Sequence, residues 1–446
     1  MNIITNLWQF FSSVKLALFT LCALASTSII GTVIPQGESY SFYVKNFGPK
    51  WAQFFHILDI PNMYYSWWFL GLLGLLSANL IICSLDRLPR VLKIINSDNF
   101  AIQPERMQKM AYFKKWEVTS EADLPTDFRT IFNKSGWKLT GQKQKDGEMF
   151  FGQKNRWSRI GVYIVHLSIL IIFAGAIVGH FFGFKGSVMV PEMQSTAKIY
   201  TFKDSQSIDL GFEVRCNSFL IEFYANGMPK DYRSNLSVFE NGKEILTTDI
   251  EVNEPLTYKG ITFYQSSYEG YQDFIISISE KNSGESKRFV LPFQQQQTWD
   301  EKSLRFGIIN VKANGQRVIS SKIWFTVDDE PPVTQWLDDN TSSIVTVGDR
   351  TFTLSSKQMY ATGLQVAKDP GVWLVYIGCI SMLIGLFMAF FLSHKRIWFY
   401  RQEEKEGIVL YLSGSANKNK QDFSRLFNRL ERNIDNAFQS SIQVDS

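Results

Sequence analysis

Four stretches of the chain are apolar over about twenty residues, the length that an α-helix needs to cross a bilayer. They cover residues 14–34, 67–85, 160–182 and 372–392. The first also resembles a signal peptide, but it is longer than an ordinary signal-peptide core. We therefore expect all four stretches to be retained as transmembrane helices.

The long segment between the third and fourth apolar stretches, residues 183–371, has the alternating pattern of β-strands. Runs such as FEVRCNSFLIEFY, LTYKGITFYQSSY and SSIVTVGDRTFTLS are separated by Asn-Gly, Lys-Gly and Gly-Asp turn signals. Short strands at this spacing are typical of a sandwich or a barrel. We predict one large, mostly-β domain here.

Three shorter segments complete the pattern. Residues 35–66 form an aromatic-rich loop, which we expect on the membrane surface because Tyr and Trp favour the headgroup region. Within residues 86–159, a strand (YFKKWEV), a short helix (LPTDFRTIFNKSG, ended by Gly136) and a hairpin (WKLTGQ and EMFFGQ) predict a compact βαββ unit. The tail, residues 393–446, predicts an amphipathic helix in DFSRLFNRLERNIDNAF, after a polar linker, that packs on the protein or rests on the membrane.

Basic residues near the ends of the apolar stretches set the expected orientation, since Lys and Arg are enriched in cytoplasmic loops. They follow the second stretch, precede the third and follow the fourth: Arg87, Arg90, Lys93, Lys154, Arg156, Arg159, Lys395, Arg396 and Arg401. The other ends are flanked closely by Lys185 and Lys368 alone. We expect both termini on the cytoplasmic or stromal side, with the β domain in the periplasm or the thylakoid lumen.

These patterns together predict the fold class. The chain is expected to be an integral, multi-pass membrane protein with four transmembrane α-helices, a large mostly-β extracytoplasmic domain and a small cytoplasmic α+β module. Its 446 residues are 45% hydrophobic and 15% aromatic, and the net charge is only +4. We therefore expect contact with membrane lipid and no nucleic-acid partner.

Composition and motifs exclude several kinds of chemistry. The four cysteines, Cys22, Cys83, Cys216 and Cys379, form no C-x-x-C pair, so neither a dithiol redox motif nor a zinc cage is evident. The sequence contains no glycine-rich phosphate loop, no H-E-x-x-H and no G-x-S-x-G, and the β domain contains no histidine. We predict no catalytic residue and no metal site other than haem iron.

The histidines near the membrane are the remaining candidates for chemistry. His166 lies within the third apolar stretch, in GVYIVHLSIL, where an imidazole without a partner is costly. A hydrogen bond to a neighbouring helix would satisfy it, and so would a haem iron, for which neutral imidazole is a common ligand. His180, later in the same stretch, and His394, at the end of the fourth, are further haem-ligand candidates, with an interfacial structural role as the alternative.

Five stretches carry a resemblance to a known family: NLIICSLDRLPR (79–90), WSRIGVYIVHLSILIIFAGAIVG (157–179), NEPLTYKGITFYQSSY (253–268), GLQVAKDPG (363–371) and FLSHKRIW (391–398). In this order and topology, the chain resembles the ResB (Ccs-type) family of cytochrome c biogenesis proteins over nearly its whole length. The CSLDRLPR stretch resembles the cyanobacterial and plastid branch. That likeness implies a thylakoid membrane, with a bacterial inner membrane as the alternative.

The resemblance implies a subunit of the system II cytochrome c synthase complex, required for haem delivery across the membrane and haem attachment to apocytochromes c. It also implies a CcsA (ResC)-type membrane partner, which carries a tryptophan-rich WWD loop. Here Trp67-Trp68 is followed by Phe69, so this chain should be the non-catalytic but required subunit of the haem lyase complex. The family's histidine in the third span maps onto His166, which would hold haem b transiently together with a histidine of the partner.

Two other functions stay open from the residues. A thiol-reducing membrane protein would need cysteines that react with one another. A cofactor-free scaffold for the assembly machinery would be insensitive to His166→Ala. The basic residues Arg156, Arg159, Lys395 and Arg396 fit the orientation rule without further help, and they could also meet haem propionates.

Overall fold

The chain forms two compact units in the computed structural model. The structure describes residues 3–118, 128–202, 205–224, 228–281, 284–315, 317–328, 330–404 and 407–444. Side chains are described up to Gln439. The first unit, called here the helix–sheet unit, comprises Met1–Ala174 and Trp373–Ser446. The second, the β unit, comprises Gly175–Val372 and is inserted between the two parts of the first.

Ten α-helices occur in the described residues. They are α1 (Ile3–Phe11), α2 (Val14–Val33), α3 (Tyr40–Phe47), α4 (Pro49–Ile57), α5 (Trp67–Asn96), α6 (Pro104–Gln108), α7 (Phe128–Lys134), α8 (Gly161–Phe182), α9 (Val372–Phe391) and α10 (Lys420–Val444). Short 3-10 segments lie at Ile60–Tyr65, Arg156–Ile160 and Asp300–Lys302. The helices α2, α5, α8 and α9 are long and apolar enough to cross a membrane, which confirms the prediction of four such helices.

The helix α5 continues beyond the apolar stretch 67–85 that predicts it. It passes through Pro89 and ends at Asn96, because Leu92 and Ile95 extend its apolar face at helical spacing. Ile95 is fully buried, and its carbonyl accepts a hydrogen bond from Gln153 Nε2 at 3.4 Å. The end of α5 is therefore part of the packed core of the helix–sheet unit.

Small residues allow α8 and α9 to pack closely. A Cβ added at Gly385 would lie 2.9 Å from the carbonyl oxygen of Gly161, and one at Gly378 would lie 3.0 Å from that of Ser168. Gly378 and Gly385 are one heptad apart, the repeat of a left-handed helix pair. Such small-residue seams are typical of helices that associate within a membrane.

Nineteen strands form three sheets in the part of the chain that the structure describes. They are β1 (Tyr112–Val118), β2 (Leu139–Gln144), β3 (Gly147–Lys154), β4 (Phe184–Pro191), β5 (Ser195–Thr201), β6 (Ser207–Phe223), β7 (Pro229–Glu240), β8 (Lys243–Ile250), β9 (Leu256–Tyr258), β10 (Ile261–Glu280), β11 (Ser286–Pro292), β12 (Gln296–Trp299), β13 (Leu304–Asn314), β14 (Arg317–Val327), β15 (Val333–Asp338), β16 (Thr341–Val347), β17 (Arg350–Lys368), β18 (Lys395–Glu404) and β19 (Gly407–Ala416). Each strand-like run quoted from the sequence overlaps one or two of these strands. The large, mostly-β domain is thereby confirmed.

The sheet of the helix–sheet unit corrects the prediction of a compact βαββ unit. Its order is β1-β19-β18-β3-β2, and all neighbours are antiparallel. The predicted strand, helix and hairpin are present, although residues 119–127, where the predicted helix was expected to begin, lie outside the described residues. However, two strands from the tail lie between β1 and the β2–β3 hairpin, so neither part pairs with the other directly.

The predicted amphipathic helix of the tail is α10, and it packs on this sheet. Its apolar positions Phe423, Phe427, Leu430 and Ile434 are buried in one cluster with residues of β3, β18 and β19. At its start, Asp422 pairs with Lys395 of β18 at 2.5 Å between the charged atoms. Of the two alternatives left by the sequence, packing on the protein is therefore the observed one.

The β unit contains two sheets and two cores. The larger sheet has the order β11-β10-β17-β4-β5-β6-β7-β8, with β9 on β10 and β16 on β17; the smaller has the order β12-β13-β14-β15. One core draws its side chains from strands of the larger sheet alone, which must curl around them. The other lies between the smaller sheet and β10, β11, β16 and β17, as in a sandwich.

Candidate functional site

His166 of α8 is hydrogen-bonded to Ser84 of α5. The distance from His166 Nδ1 to Ser84 Oγ is 2.9 Å, and Tyr163 packs edge-on against the imidazole with 6.2 Å between ring centroids. The structure thus contains the interhelical hydrogen bond that the sequence offers as one alternative. It satisfies one ring nitrogen, and no described residue is bonded to the other, Nε2.

His166 also lines an open groove between α5 and α8. The groove has a volume of about 420 Å³, within the range of about 300–1,000 Å³ that is usual for small-molecule sites. Apart from His166, Ser84 and Tyr163, its walls are apolar. Leu85 and Leu167, which line it, are each 58% exposed. The groove therefore opens to the outside of the helix pair, towards lipid or another protein.

The groove suits a flat apolar ligand held by a single nitrogen. In histidine–metal sites the second ring nitrogen usually donates a hydrogen bond to a fixed acceptor, which orients the ring and selects its tautomer. Ser84 Oγ is able to accept from Nδ1–H in this way, leaving the lone pair of Nε2 for a ligand. The residues present would suit a haem iron held through His166 Nε2.

His394 lies between α9 and β18 and is only 1% exposed. Its Nδ1 accepts a hydrogen bond from Arg159 Nε at 2.7 Å, and its Nε2 pairs with Gln153 Oε1 at 3.0 Å. Burial, followed by the charges of Arg159 and Arg396, lowers the pKa of His394 to about 4. The imidazole is therefore neutral with its proton on Nε2. Ligation of iron at either nitrogen would require one of these hydrogen bonds to break.

His180, unlike His166 and His394, is exposed. It lies near the end of α8, in the β unit, and its ring packs edge-on against Phe181 with 5.2 Å between centroids. Of the three histidines named from the sequence, only His166 lines the groove in the described residues.

The polar groups buried in the β unit form a structural network. Glu192 is 1% exposed and accepts hydrogen bonds from Lys357 Nζ at 2.5 Å, from Phe219 N at 2.7 Å and from Tyr360 N at 3.2 Å. Burial, followed by the charge of Glu192, raises the pKa of Cys216 to about 12, so its thiol is not a nucleophile at neutral pH. The described residues contain no group of three or more side chains suited to a metal ion.

Sequence reasoning misses the partners that position these side chains. Ser84 lies in the quoted CSLDRLPR stretch, but nothing in its local pattern links it to His166. Asn79, in the same helix, is buried and donates to the carbonyl oxygens of Phe11 at 2.5 Å and Ser13 at 3.1 Å. A polar side chain inside an apolar stretch is the one sequence signal that could have singled out both residues.

Comparisons with known proteins agree along almost the whole chain. The sequence profile of the ResB-like family matches residues 14–354 and 326–428. Relatives called cytochrome c biogenesis protein CcsB include one from Microcystis aeruginosa, 29% identical over 448 residues, which covers 95% of this chain and 94% of the relative. Another from Crocosphaera subtropica is 29% identical and covers 93% and 91%. A third from Gloeobacter violaceus is 28% identical and covers 94% and 91%.

Proposed function

The chain belongs to the ResB-like family, and on that premise we propose that it is a membrane subunit of the system II machinery that delivers haem across the membrane and attaches it to apocytochromes c. The names of its full-length relatives support this assignment. The described residues contain no group of three or more side chains suited to a metal ion, and the four cysteines are free. In this proposal the chain is a required subunit of the haem lyase complex, and the chemistry of haem attachment belongs to its partner.

We propose that His166 provides one axial nitrogen to haem b during its passage. The observation that carries this proposal is the pairing of His166 Nδ1 with Ser84 at the wall of an apolar groove. Ser84 orients the imidazole ring, and the aliphatic walls would contact a bound macrocycle. Haem iron accepts two axial ligands and binds neutral imidazole readily.

The second axial nitrogen comes, in this proposal, from a CcsA-type membrane partner. The groove is open on the side of Leu85 and Leu167, so a helix of a partner is able to cover it. Arg87, exposed one turn beyond Ser84 on α5, is placed to meet a propionate at the end of the groove. Shared ligation would make the haem transient on this chain, because separation of the partners releases one ligand.

The proposed orientation places the β unit across the membrane from the termini. The basic residues that follow α5 and α9 and precede α8 support a cytoplasmic or stromal location for the ends of these helices. The cyanobacterial origin of the relatives supports a location in a thylakoid membrane rather than in a bacterial inner membrane. The β unit would then face the compartment in which apocytochromes c receive haem.

The thiol-reducing alternative has less support. All four cysteines are free, and three of them are on different helices, α2, α5 and α9. The fourth, Cys216, has a thiol pKa raised by burial to about 12. Reduction of apocytochrome thiols is therefore assigned to another protein.

The decisive experiment is absorption spectroscopy of the detergent-purified complex with its CcsA-type partner, for the wild type and for His166→Ala. Loss of a bis-histidine haem spectrum in His166→Ala, partly restored by added imidazole, is the expected result. The control variant is His56→Ala, since His56 is exposed on α4 away from the groove lining. An unchanged spectrum in His166→Ala would mean that His166 only forms an interhelical hydrogen bond. The chain would then be a cofactor-free scaffold.

A further inference from the structure

Arg159 occupies a constrained position directly before α8. It lies in the 3-10 segment Arg156–Ile160, and its Nε donates to Nδ1 of the buried His394 at 2.7 Å. His394 is in turn held by Gln153 at the other ring nitrogen, at 3.0 Å. The guanidinium of Arg159 is therefore fixed at one edge, while its two terminal nitrogens have no hydrogen bond to a described residue.

Arg396 lies close to Arg159 on the first part of β18. The strand register places it opposite Gln153 of β3 and Ser415 of β19. Its guanidinium stacks over Trp398 at 5.2 Å and donates weakly to Ser415 Oγ at 3.4 Å. Burial, together with the nearby charge of Arg159, lowers the pKa of Arg396. Arg159 and Arg396 thus belong to one partly buried cluster, because Gln153, which is opposite Arg396, and Arg159 hold the two nitrogens of the same His394 ring.

No described carboxylate compensates these two charges. Neither Arg159 nor Arg396 forms an ion pair in the part of the chain that the structure describes. The carboxylate of Asp422 at the start of α10 is paired with Lys395, the residue before Arg396. His394 is neutral at physiological pH because its pKa is about 4. An oxyanion between the two guanidiniums would remove the repulsion and accept their unused N–H groups.

The position along the helices indicates which oxyanion this is. Arg159 comes two residues before α8 begins at Gly161, and Arg396 follows α9, which ends at Phe391. Both arginines therefore lie close to the ends of apolar helices, where the proposed orientation would place the lipid headgroups. Trp157, half exposed and stacked with Arg156 at 5.5 Å, is the amphipathic residue expected at that depth.

We propose that Arg159 and Arg396 form a binding site for the phosphate of an anionic phospholipid of the cytoplasmic or stromal leaflet. Basic pockets between transmembrane helices on this side of a membrane bind anionic headgroups in this manner. The bound phosphate would tie the start of α8 to the sheet through His394 and β18. It would thereby hold in place the helix that carries His166.

The test measures the thermal unfolding temperature of the delipidated full-length protein in detergent after addition of defined probes. Dioleoylphosphatidylglycerol is expected to raise the Tm of the wild type, and Arg159→Gln/Arg396→Gln should lose at least half of that shift. The matched control is Arg425→Gln/Arg429→Gln, which removes the same charge from exposed positions of α10 and should keep the full shift. Dioleoylphosphatidylcholine should raise the Tm less than the anionic lipid.

Three outcomes would overturn the proposal. An equal shift in the double variant would show that the two arginines do not bind the lipid. An equal shift with inorganic phosphate would indicate a site for a free anion, and a shift with haem but not with the lipid would assign the arginines to propionates. If the double variant does not fold, native mass spectrometry compares the wild type with Arg159→Lys/Arg396→Lys. The proposal requires that phosphatidylglycerol stays bound to the wild type and that less of it is bound to the lysine variant.

Discussion

Gly378 of α9 lies so close to Ile172 of α8 that no side chain fits between them. A Cβ at Gly378 would come within 2.6 Å of Ile172 Cγ1 and 3.0 Å of the carbonyl oxygen of Ser168. Apolar helices surrounded by lipid gain little from the hydrophobic effect, so their association depends on close packing of this kind. The contact therefore holds α8, the helix of His166, against α9.

Substitution of Gly378 by leucine should force the two helices apart. We expect Gly378→Leu to lower the free energy of unfolding by about 1–3 kcal/mol, as over-packing of a tight contact does, measured by thermal unfolding in detergent. The control is Gly71→Leu on α5, because an added Cβ at Gly71 meets no atom within 4 Å. Equal destabilisation by the two variants would show that the α8–α9 contact contributes nothing specific.

The hydrogen bond between His166 Nδ1 and Ser84 Oγ gives a prediction about haem affinity rather than folding. Ser84→Ala removes the group that orients the imidazole, and loss of such an orienting partner commonly weakens metal binding about 10–100-fold. We expect Ser84→Ala to bind added haem roughly 10-fold more weakly in a spectroscopic titration, and Ser84→Thr, which keeps the hydroxyl, to retain most of the affinity.

The control for this titration is Ser77→Ala on the same helix. Ser77 Oγ donates to the carbonyl of Leu73 at 2.8 Å within α5 and does not line the groove. The affinity of Ser77→Ala for haem should equal that of the wild type. If Ser84→Ala also binds haem as the wild type does, Ser84 has no positioning role.

The buried His394 predicts a loss of stability in acid. Its folded-state pKa is about 4, below its ordinary value of about 6.5. Above pH 6.5 the imidazole is neutral in both states, whereas between pH 6.5 and 4 only the unfolded chain takes up the proton. The free energy of unfolding should therefore fall by about 3 kcal/mol in total over this window.

The measurement is Tm against pH for the wild type and His394→Asn. The variant should start from a lower Tm at pH 7.5, since it loses the hydrogen bond from Arg159, but should lose less on acidification. His56→Asn, at an exposed position, should follow the wild-type curve. Parallel curves for wild type and His394→Asn would mean that this histidine does not protonate on unfolding in that range.

Local patterns predicted most of the fold, whereas pairing between distant segments was not predictable. Twenty apolar residues or an alternating run specify a helix or a strand by themselves, and those elements are present. The hydrogen bond between Ser84 and His166 joins residues 82 positions apart, and that between Arg159 and His394 joins residues 235 apart. A polar residue in an apolar stretch, such as His166, needs a partner, but the sequence does not identify that partner.

The tail shows the same limit at the level of a whole sheet. The strands β18 and β19 have apolar runs of their own, IWFY and IVLYL, but only the folded chain shows that they lie between β1 and β3. Without them, β1 has no neighbouring strand, and the β2–β3 hairpin is left alone, which is marginally stable at best in water.

We therefore predict that the buried aromatic face of α10 is essential for the sheet of the helix–sheet unit. Phe423 is fully buried against β19, where a Cβ at Gly414 would lie 2.7 Å from its ring. Phe423→Ala should cost about 3–5 kcal/mol and open the β2–β3 hairpin to limited proteolysis. Arg425→Ala, at an exposed position of the same helix, should leave it protected.

The proteolytic pattern of the β unit should stay unchanged in both variants because this unit has cores of its own. Cleavage throughout both units in Phe423→Ala would instead show that they unfold together.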